Sequence, residues 1–119
     1  NLPLSFAQQR LWFIDRYEPG CDRYNLPAVV RLTGTLDIAA LEQTLNEIVR
    51  RHEALRTNFV TVEGQPVQVI HSTLTLSLPV VKLQHLPQNQ RETEALRLAR
   101  HKARQPFDLE REPLLRVML

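Results

Sequence analysis

The residues whose types could do chemistry concentrate at the end of one predicted helix, where Arg51, His52, Glu53 and Arg56 follow one another closely. His52 and Glu53 begin like the helix motif of zinc proteases, but Arg56 occupies the second histidine position, so that motif fails. The spacing places His52 on or beside the apolar stripe of the helix, where water is scarce. Burying such groups unpaired costs roughly 2 kcal/mol or more each. We therefore favour a structural polar cluster at a helix–strand junction over a functional site.

The helix that precedes this cluster is the most strongly patterned stretch of the chain, and with its following strand it occupies residues 37–59. Asp37 is a plausible N-cap, because its carboxylate can accept the free amide hydrogens of the first turn. The apolar residues recur at the three-and-four spacing of a helix with one buried face: Ile38, Leu41, Leu45, Ile48, Val49 and Leu55.

Cap, turn and composition signals predict the remaining elements. A capping box at Ser5 and Gln8 predicts a first helix that ends near Tyr17, and Asn89 with Glu92 predicts a helix that runs to Gln105. The predicted strands are Ala28–Leu32 (covered on both faces), a hairpin of Arg56–Val62 and Pro66–Ile70 around Glu63-Gly64-Gln65, an edge strand or strand end at Thr73–Val81, and Leu114–Leu119. Helices interleaved with strands in this way predict an α+β sandwich.

The composition of the chain argues against several classes of function. The 119 residues suffice for one domain with one core. Fifteen basic and thirteen acidic residues are interspersed along the chain, which argues against a nucleic-acid-binding face. No apolar run is long enough to span a membrane, and no secretion signal is recognisable. A single cysteine, Cys21, fits a reducing cytoplasm, and no metal site is predicted.

Two long segments resemble core motifs of one family, the condensation domains of nonribosomal peptide synthetases. Arg51–Phe59 resembles its RHExLRTxF motif, and Ser5–Ile14 resembles its SxAQxRLWxL motif, with Ile14 in place of leucine. Further segments match in the expected order: Tyr24–Pro27, Pro106–Leu109 and Pro113–Arg116. The resemblance covers essentially the whole chain.

The resemblance implies that residues 1–119 are a partial condensation domain. They would form the N-terminal lobe of a two-layer sandwich similar to chloramphenicol acetyltransferase, the fold of CoA-dependent acyltransferases. The family's reaction centre is an HHxxxDG motif, and no two of the four histidines are adjacent: His52, His71, His85 and His101. In the family this motif follows the segment that matches Pro113–Leu119, so we expect the chain to stop just before it and to lack the C-terminal lobe.

The resemblance further implies formation of an amide bond between two thioesters, as in antibiotic biosynthesis and other secondary metabolism. Phosphopantetheine arms of peptidyl carrier domains, from the same or an adjacent synthetase, would present both substrates, and no cofactor would be bound directly. No residue is assigned a catalytic role. Arg10, Arg51, His52 and Arg56 are interpreted as structural supports of the neighbouring site.

An alternative from another class remains open. The 119 residues could be a catalytically inert scaffold or an interaction module for carrier proteins. The basic face of the third helix could attract an acidic carrier, although a solvated helix face is the favoured interpretation. We also expect self-association through Pro113–Leu119, because an apolar strand with an unpaired edge recruits other chains.

Overall fold

Helices and a small sheet alternate along the chain, in agreement with the predicted α+β class. The computed structural model describes residues 2–119. The elements, in chain order, are β1 (Leu2–Pro3), α1 (Phe6–Tyr17), α2 (Ile38–Arg51), a 3-10 turn (Glu53–Arg56), β2 (Thr57–Val62), β3 (Gln65–Ile70) and α3 (Gln88–Ala103).

The predicted caps of the first two helices are present. The Ser5 hydroxyl accepts a hydrogen bond from the Gln8 amide at 3.2 Å, and the Ser5 amide donates to the Gln8 side chain at 2.8 Å. The carboxylate of Asp37 accepts from the Ala40 amide at 3.0 Å. These bonds satisfy amide groups that have no partner within the helix, so both starts were readable from sequence.

The predicted start of α3 at Asn89 is wrong. The helix begins at Gln88 with Pro87 in the N-cap position, and no side chain caps it. Proline needs no amide partner, and its constrained φ, here −55°, suits a helix start. The helix also ends at Ala103 rather than Gln105. The Asn25 side chain donates to the carbonyls of both residues, at 3.0 and 2.9 Å.

The strands form one antiparallel sheet in the order β1-β3-β2. The predicted hairpin of β2 and β3 is confirmed, with Val60 opposite Val67 and Val62 opposite Gln65. Its turn has two central residues, Glu63 and Gly64, with φ of 51° and 79°. Positive φ at both positions matches the twist of a two-residue hairpin, which explains the glycine.

Three predicted strands are not formed within residues 2–119: Ala28–Leu32, Thr73–Val81 and Leu114–Leu119. Backbone groups of the second segment are occupied by α2 instead of by a strand. The Leu76 amide donates to the Asn46 side chain at 2.7 Å, and the Leu78 amide donates to the Glu42 carboxylate at 3.0 Å. The segment with the alternating pattern is therefore extended, but the amides of Leu76 and Leu78 bond to side chains of α2.

One pair of hydrogen bonds joins the second and third of these segments. The Leu119 amide donates to the Pro79 carbonyl at 2.9 Å, and the Val81 amide donates to the Leu119 carbonyl at 2.8 Å. A residue that bonds in this way to two positions on either side of Val80 is paired in parallel. Helix α3 connects the two segments along the chain, as expected for a crossover between parallel strands.

Few apolar side chains are fully covered. The buried ones are Leu4, Val49, Leu76 and Leu78. Leu76 and Leu78 alternate with exposed residues, and Val49 lies on the inner face of α2. The radius of gyration is 17.0 Å, whereas a compact domain of this length has about 13.5 Å. The 119 residues therefore leave much apolar surface without a cover.

The positive φ angles of Glu63 and Gly64 in the hairpin turn can be tested by substitution. We expect Gly64→Ala to lower the free energy of unfolding by about 1–2 kcal/mol, because a Cβ is disfavoured at positive φ. Glu63→Asn should raise it, since asparagine tolerates this conformation better than glutamate. Chemical denaturation monitored by circular dichroism measures both; equal effects of the two variants would contradict the assigned turn.

Candidate functional site

The junction between α2 and the sheet is organised by the guanidinium group of Arg56. Its Nε donates to the Val49 carbonyl at 3.1 Å and its Nη2 donates to the Arg50 carbonyl at 3.3 Å. A third bond runs from Nη1 to the His71 carbonyl, just after β3. The last carbonyls of a helix have no partner within it and carry partial negative charge, so a cation there is favourable. Arg56 thus connects the end of α2 to the end of β3.

Asn58 forms the second part of the junction. It is only 4% exposed. Its amide nitrogen donates to the carbonyls of Leu109 at 3.2 Å and Glu112 at 2.7 Å, and its oxygen lies 2.7 Å from Nε2 of His71. Every polar atom of this buried side chain is therefore used, and the segment at residues 109–112 is attached to the edge of β2.

Polar side chains thus meet at the junction of α2 with the sheet, as predicted, but most of them are not the predicted residues. Arg51, His52 and Glu53 are exposed, and only Arg56 bonds into the junction. His52 is the C-cap residue of α2, where its backbone leaves the helix, so its side chain does not stay on the apolar stripe. The hydrogen-bond partners of Arg56 are backbone carbonyls rather than carboxylates.

Arg51 belongs instead to a surface ion pair network on α2. Its Nε lies 2.8 Å from Oε1 of Glu47, and Arg50 bonds both oxygens of the same carboxylate at 2.8 Å. The hydrogen bonds from Arg50, which has the larger effect, and from Arg51 lower the pKa of Glu47 from 4.5 to about 2. The same contact raises the pKa of Arg50.

Arg10 is separate from the other three predicted support residues. It lies on an exposed part of α1, and its side chain forms no hydrogen bond with the junction. The structure therefore brings together Arg56, Asn58 and His71, while Arg10, Arg51 and His52 stay outside this group.

A cavity of about 460 Å³ lies between α1 and the C-terminal segment. Its walls are mainly apolar and aromatic, with contributions from Trp12, Tyr24, Phe59 and Phe107. The carboxyl of Asp15 also lines it, and burial raises the pKa of this group, with a smaller opposing effect from Arg16. No histidine lines this cavity, so a nucleophile with an adjacent imidazole base is not assembled there.

Other site types find no support in residues 2–119. No group of three or more histidine, cysteine, aspartate or glutamate side chains there could hold a metal ion. None of the helices described has the length and apolar character needed to cross a bilayer. The side-chain hydrogen bonds of Arg56 and most of those of Asn58 go to backbone carbonyls.

Sequence reasoning missed Asn58 and His71. Asparagine is depleted in strands, so an asparagine between the β-type residues Thr57 and Phe59 was the available signal. Its partners, the carbonyls of Leu109 and Glu112, lie more than fifty residues away along the chain. No local sequence pattern predicts these contacts.

The junction predicts that replacing Arg56 lowers the free energy of unfolding more than replacing Arg51 does. Arg56→Ala should lower the free energy of unfolding by about 2–3 kcal/mol, because charged hydrogen bonds to carbonyls are lost. Arg51→Ala should change it little, because an exposed pair at this spacing contributes little. Urea denaturation of both variants measures the difference. Similar losses for the two would contradict the assignment of Arg56 as the junction residue.

The α2 network predicts an acid-dependent interaction. A carboxyl with a lowered pKa stabilises the folded chain above its ordinary pKa of 4.5, and this contribution is lost as the pH falls towards about 2. An NMR titration should give a Glu47 midpoint near 2. Replacing Arg50 and Arg51 together by glutamine should move that midpoint up towards 4.5. Arg97→Gln on α3 is the control and should leave it unchanged.

Comparison with known proteins identifies the family. The family model described as "Condensation domain" matches residues 1–119. One of the linear gramicidin synthase proteins of Brevibacillus parabrevis is 56% identical over 100% of this chain, and chondramide synthase of Chondromyces crocatus is 48% identical over 99%. The chain spans 2% and 3% of these proteins, respectively.

Solved structures agree on the fold. The starter condensation domain of rhizomide synthetase superposes with a TM-score of 0.75 at 24% identity, over 94% of this chain and 28% of that one. The first condensation domain of the calcium-dependent antibiotic synthetase gives 0.73 at 23% identity, over 94% and 27%. These matches confirm the predicted fold class. The match of the family model over residues 1–119 shows that the chain belongs to the condensation domain family.

Proposed function

We propose that these residues are the N-terminal part of a nonribosomal peptide synthetase condensation domain, within which they act as framework. The observation that carries the proposal is the family match over residues 1–119. The Arg56 junction supports the framework role, since its hydrogen bonds hold backbone segments.

The reaction of the whole domain would join two substrates held as thioesters on the phosphopantetheine arms of carrier domains. The acceptor amine attacks the donor thioester carbonyl, the C–N bond forms, the C–S bond breaks, and the amine proton passes to the departing thiolate. Such a reaction needs alignment of two tethered groups and stabilisation of the oxyanion. No metal or redox cofactor takes part in this proposal.

Within this framework we assign Arg56 as a positioning residue. Its bonds to the carbonyls of Val49 and Arg50 fix the direction in which β2 leaves α2. Arg10, Arg51 and His52 are exposed, so they support the site at most from the surface. The group that assists proton transfer would come from a histidine pair beyond the four separate histidines of this chain.

Carrier domains of the synthetase are the proposed partners, together with the C-terminal lobe. The basic face of α3 is a weaker candidate for carrier docking than its sequence suggested. Arg97 bonds the Glu94 carboxylate, Arg91 bonds the carbonyls of Gln84 and Leu86, and Arg31 pairs with Glu92. These bonds occupy Arg91 and Arg97 on α3, which favours a solvated face. A cytoplasmic location is the accompanying proposal.

The framework role predicts that the 119-residue chain does not form peptide, even with loaded carrier proteins supplied. The same chain extended through the histidine motif and the second lobe should form it, as measured by mass spectrometry of released product. Product from the 119 residues that is abolished by His52→Ala would overturn the framework role and make His52 catalytic. No product from the extended protein would favour the inert scaffold.

In the extended protein, Arg56→Ala should lower both the thermal midpoint and kcat, with Arg56→Lys recovering part of the melting temperature. Arg51→Ala is the matched control and should change neither value appreciably, because its exposed pair with Glu47 lies outside the junction. A loss of kcat in Arg51→Ala equal to that in Arg56→Ala would contradict a role specific to the junction.

A further inference from the structure

The imidazole of His71 and the amide of Asn58 form a side-chain pair on one face of the hairpin of β2 and β3. Asn58 lies opposite Val69, and His71 follows Val69 by two positions, so both side chains lie on the same face. Nε2 of His71 is 2.7 Å from Oδ1 of Asn58. Side chains at such diagonal positions of two antiparallel strands are close enough to interact when one of them is long.

The contacts on the other side of Asn58 determine which end of its amide faces His71. Its side chain meets two backbone carbonyls, that of Leu109 at 3.2 Å and that of Glu112 at 2.7 Å. Carbonyl oxygens only accept hydrogen bonds, so the amide nitrogen faces them and the amide oxygen faces His71. That oxygen also only accepts, so Nε2 of His71 carries the hydrogen and donates it. The neutral ring therefore has its hydrogen on Nε2, with Nδ1 as the acceptor.

The backbone of His71 is held by Arg56. Its amide donates to the Arg56 carbonyl at 2.9 Å, and its carbonyl accepts from the Arg56 guanidinium. Both backbone groups of His71 are thereby bonded to the residue that organises the junction, while its ring bonds Asn58. The pair of His71 and Asn58 thus connects the Arg56 junction to the side chain that attaches residues 109–112.

Residues 105–116 form a closed loop that Asn58 attaches to β2. Arg116 closes the loop, because its guanidinium donates to two backbone carbonyls at the start of the loop, at 2.9 and 2.6 Å. The same guanidinium bonds the carboxylate of Glu112 at 2.6 Å. The carbonyl of Glu112 in turn accepts from Asn58. A displacement of the Asn58 amide would therefore move the closed loop, together with residues 113–119 that continue from it.

We propose that His71 and Asn58 are positioning residues of the condensation domain: the Nε2–H group of His71 orients the Asn58 amide, which sets the place of residues 109–112. The inference rests on the proposed function, because under that function the histidine pair that assists proton transfer follows Pro113–Leu119. A shift of the loop is then passed on to that histidine pair. Asn58 stands at the unspecified position of the RHExLRTxF motif, and His71 lies outside both motifs, so the motifs assign a role to neither residue.

The ring nitrogens of His71 in the whole condensation domain test the orientation of the pair without any substitution. NMR spectra of the imidazole nitrogens distinguish a hydrogen on Nε2 from one on Nδ1, when they are recorded at alkaline pH, where an imidazole is neutral. We expect the hydrogen on Nε2. A hydrogen on Nδ1 would overturn the inference, because Asn58 would then turn its nitrogen towards His71 and its oxygen towards two carbonyls.

Two substitutions of His71 separate its hydrogen bond from the bulk of its ring. His71→Phe removes the donor but keeps a ring, whereas His71→Gln keeps an N–H donor near the position of Nε2. In the whole domain, we expect His71→Phe to lower kcat about tenfold, the change in rate that corresponds to one lost hydrogen bond, with KM unchanged. His71→Gln should restore most of kcat.

The matched control is His85→Phe, which changes an exposed histidine ahead of α3 and should leave both kcat and KM unchanged. An unchanged kcat in His71→Phe, or a loss in His71→Gln equal to that in His71→Phe, would overturn the inference. A raised KM with unchanged kcat would overturn it as well, since that result reports substrate binding and not the placement of a reacting group.

Hydrogen exchange of the Phe59 amide separates this inference from the proposed function, because it needs no catalysis. That amide donates to the Leu109 carbonyl at 2.9 Å, so its exchange rate reports whether the loop stays attached to β2. We expect exchange about tenfold faster in His71→Phe than in the unsubstituted domain. An unchanged rate would overturn the inference. If the unsubstituted domain forms no amide product, the proposed function fails, whereas the exchange rate and the tautomer still decide whether the pair holds the loop. If His71→Phe does not fold, the tautomer alone decides it.

Discussion

The contact between the Arg56 guanidinium and the end of α2 is the interaction on which the rest of this structure depends. A helix ends with carbonyls that have no partner, and here two of them, those of Val49 and Arg50, accept from one delocalised cation. The same group reaches the carbonyl of His71 at the end of β3. One side chain thereby sets the angle between the most amphipathic helix and the sheet that follows it.

Asn58 extends this arrangement to a distant part of the chain. Because it is buried, its amide has to be satisfied by protein groups, and it bonds carbonyls at both ends of residues 109–112. The segment that leads into the C-terminal residues is therefore placed relative to β2 by directional bonds. Few apolar side chains are buried here, so hydrogen bonds set positions that a larger core would otherwise set by packing.

Under the proposed function, this balance between hydrogen bonds and packing has a functional meaning. Aligning two tethered substrates would require a rigid frame, and junctions built from hydrogen bonds to backbone would supply that rigidity. Apolar residues such as Leu26 and Val30 are exposed in this structure. The self-association through Pro113–Leu119 stays a prediction. That segment is half-buried, whereas residues 26–32 are exposed.

Local chemistry alone determined the helix starts at Ser5 and Asp37, the hairpin at Gly64 and the family motifs, because each depends on residues only a few positions apart. The tertiary structure decided the rest. A strand requires a partner, and local alternation at Thr73–Val81 could not reveal that α2 side chains would occupy those amides. Likewise, whether Arg56 or Arg51 enters the junction depends on where the chain turns after His52, which is set by contacts with β3 and not by the spacing of charges.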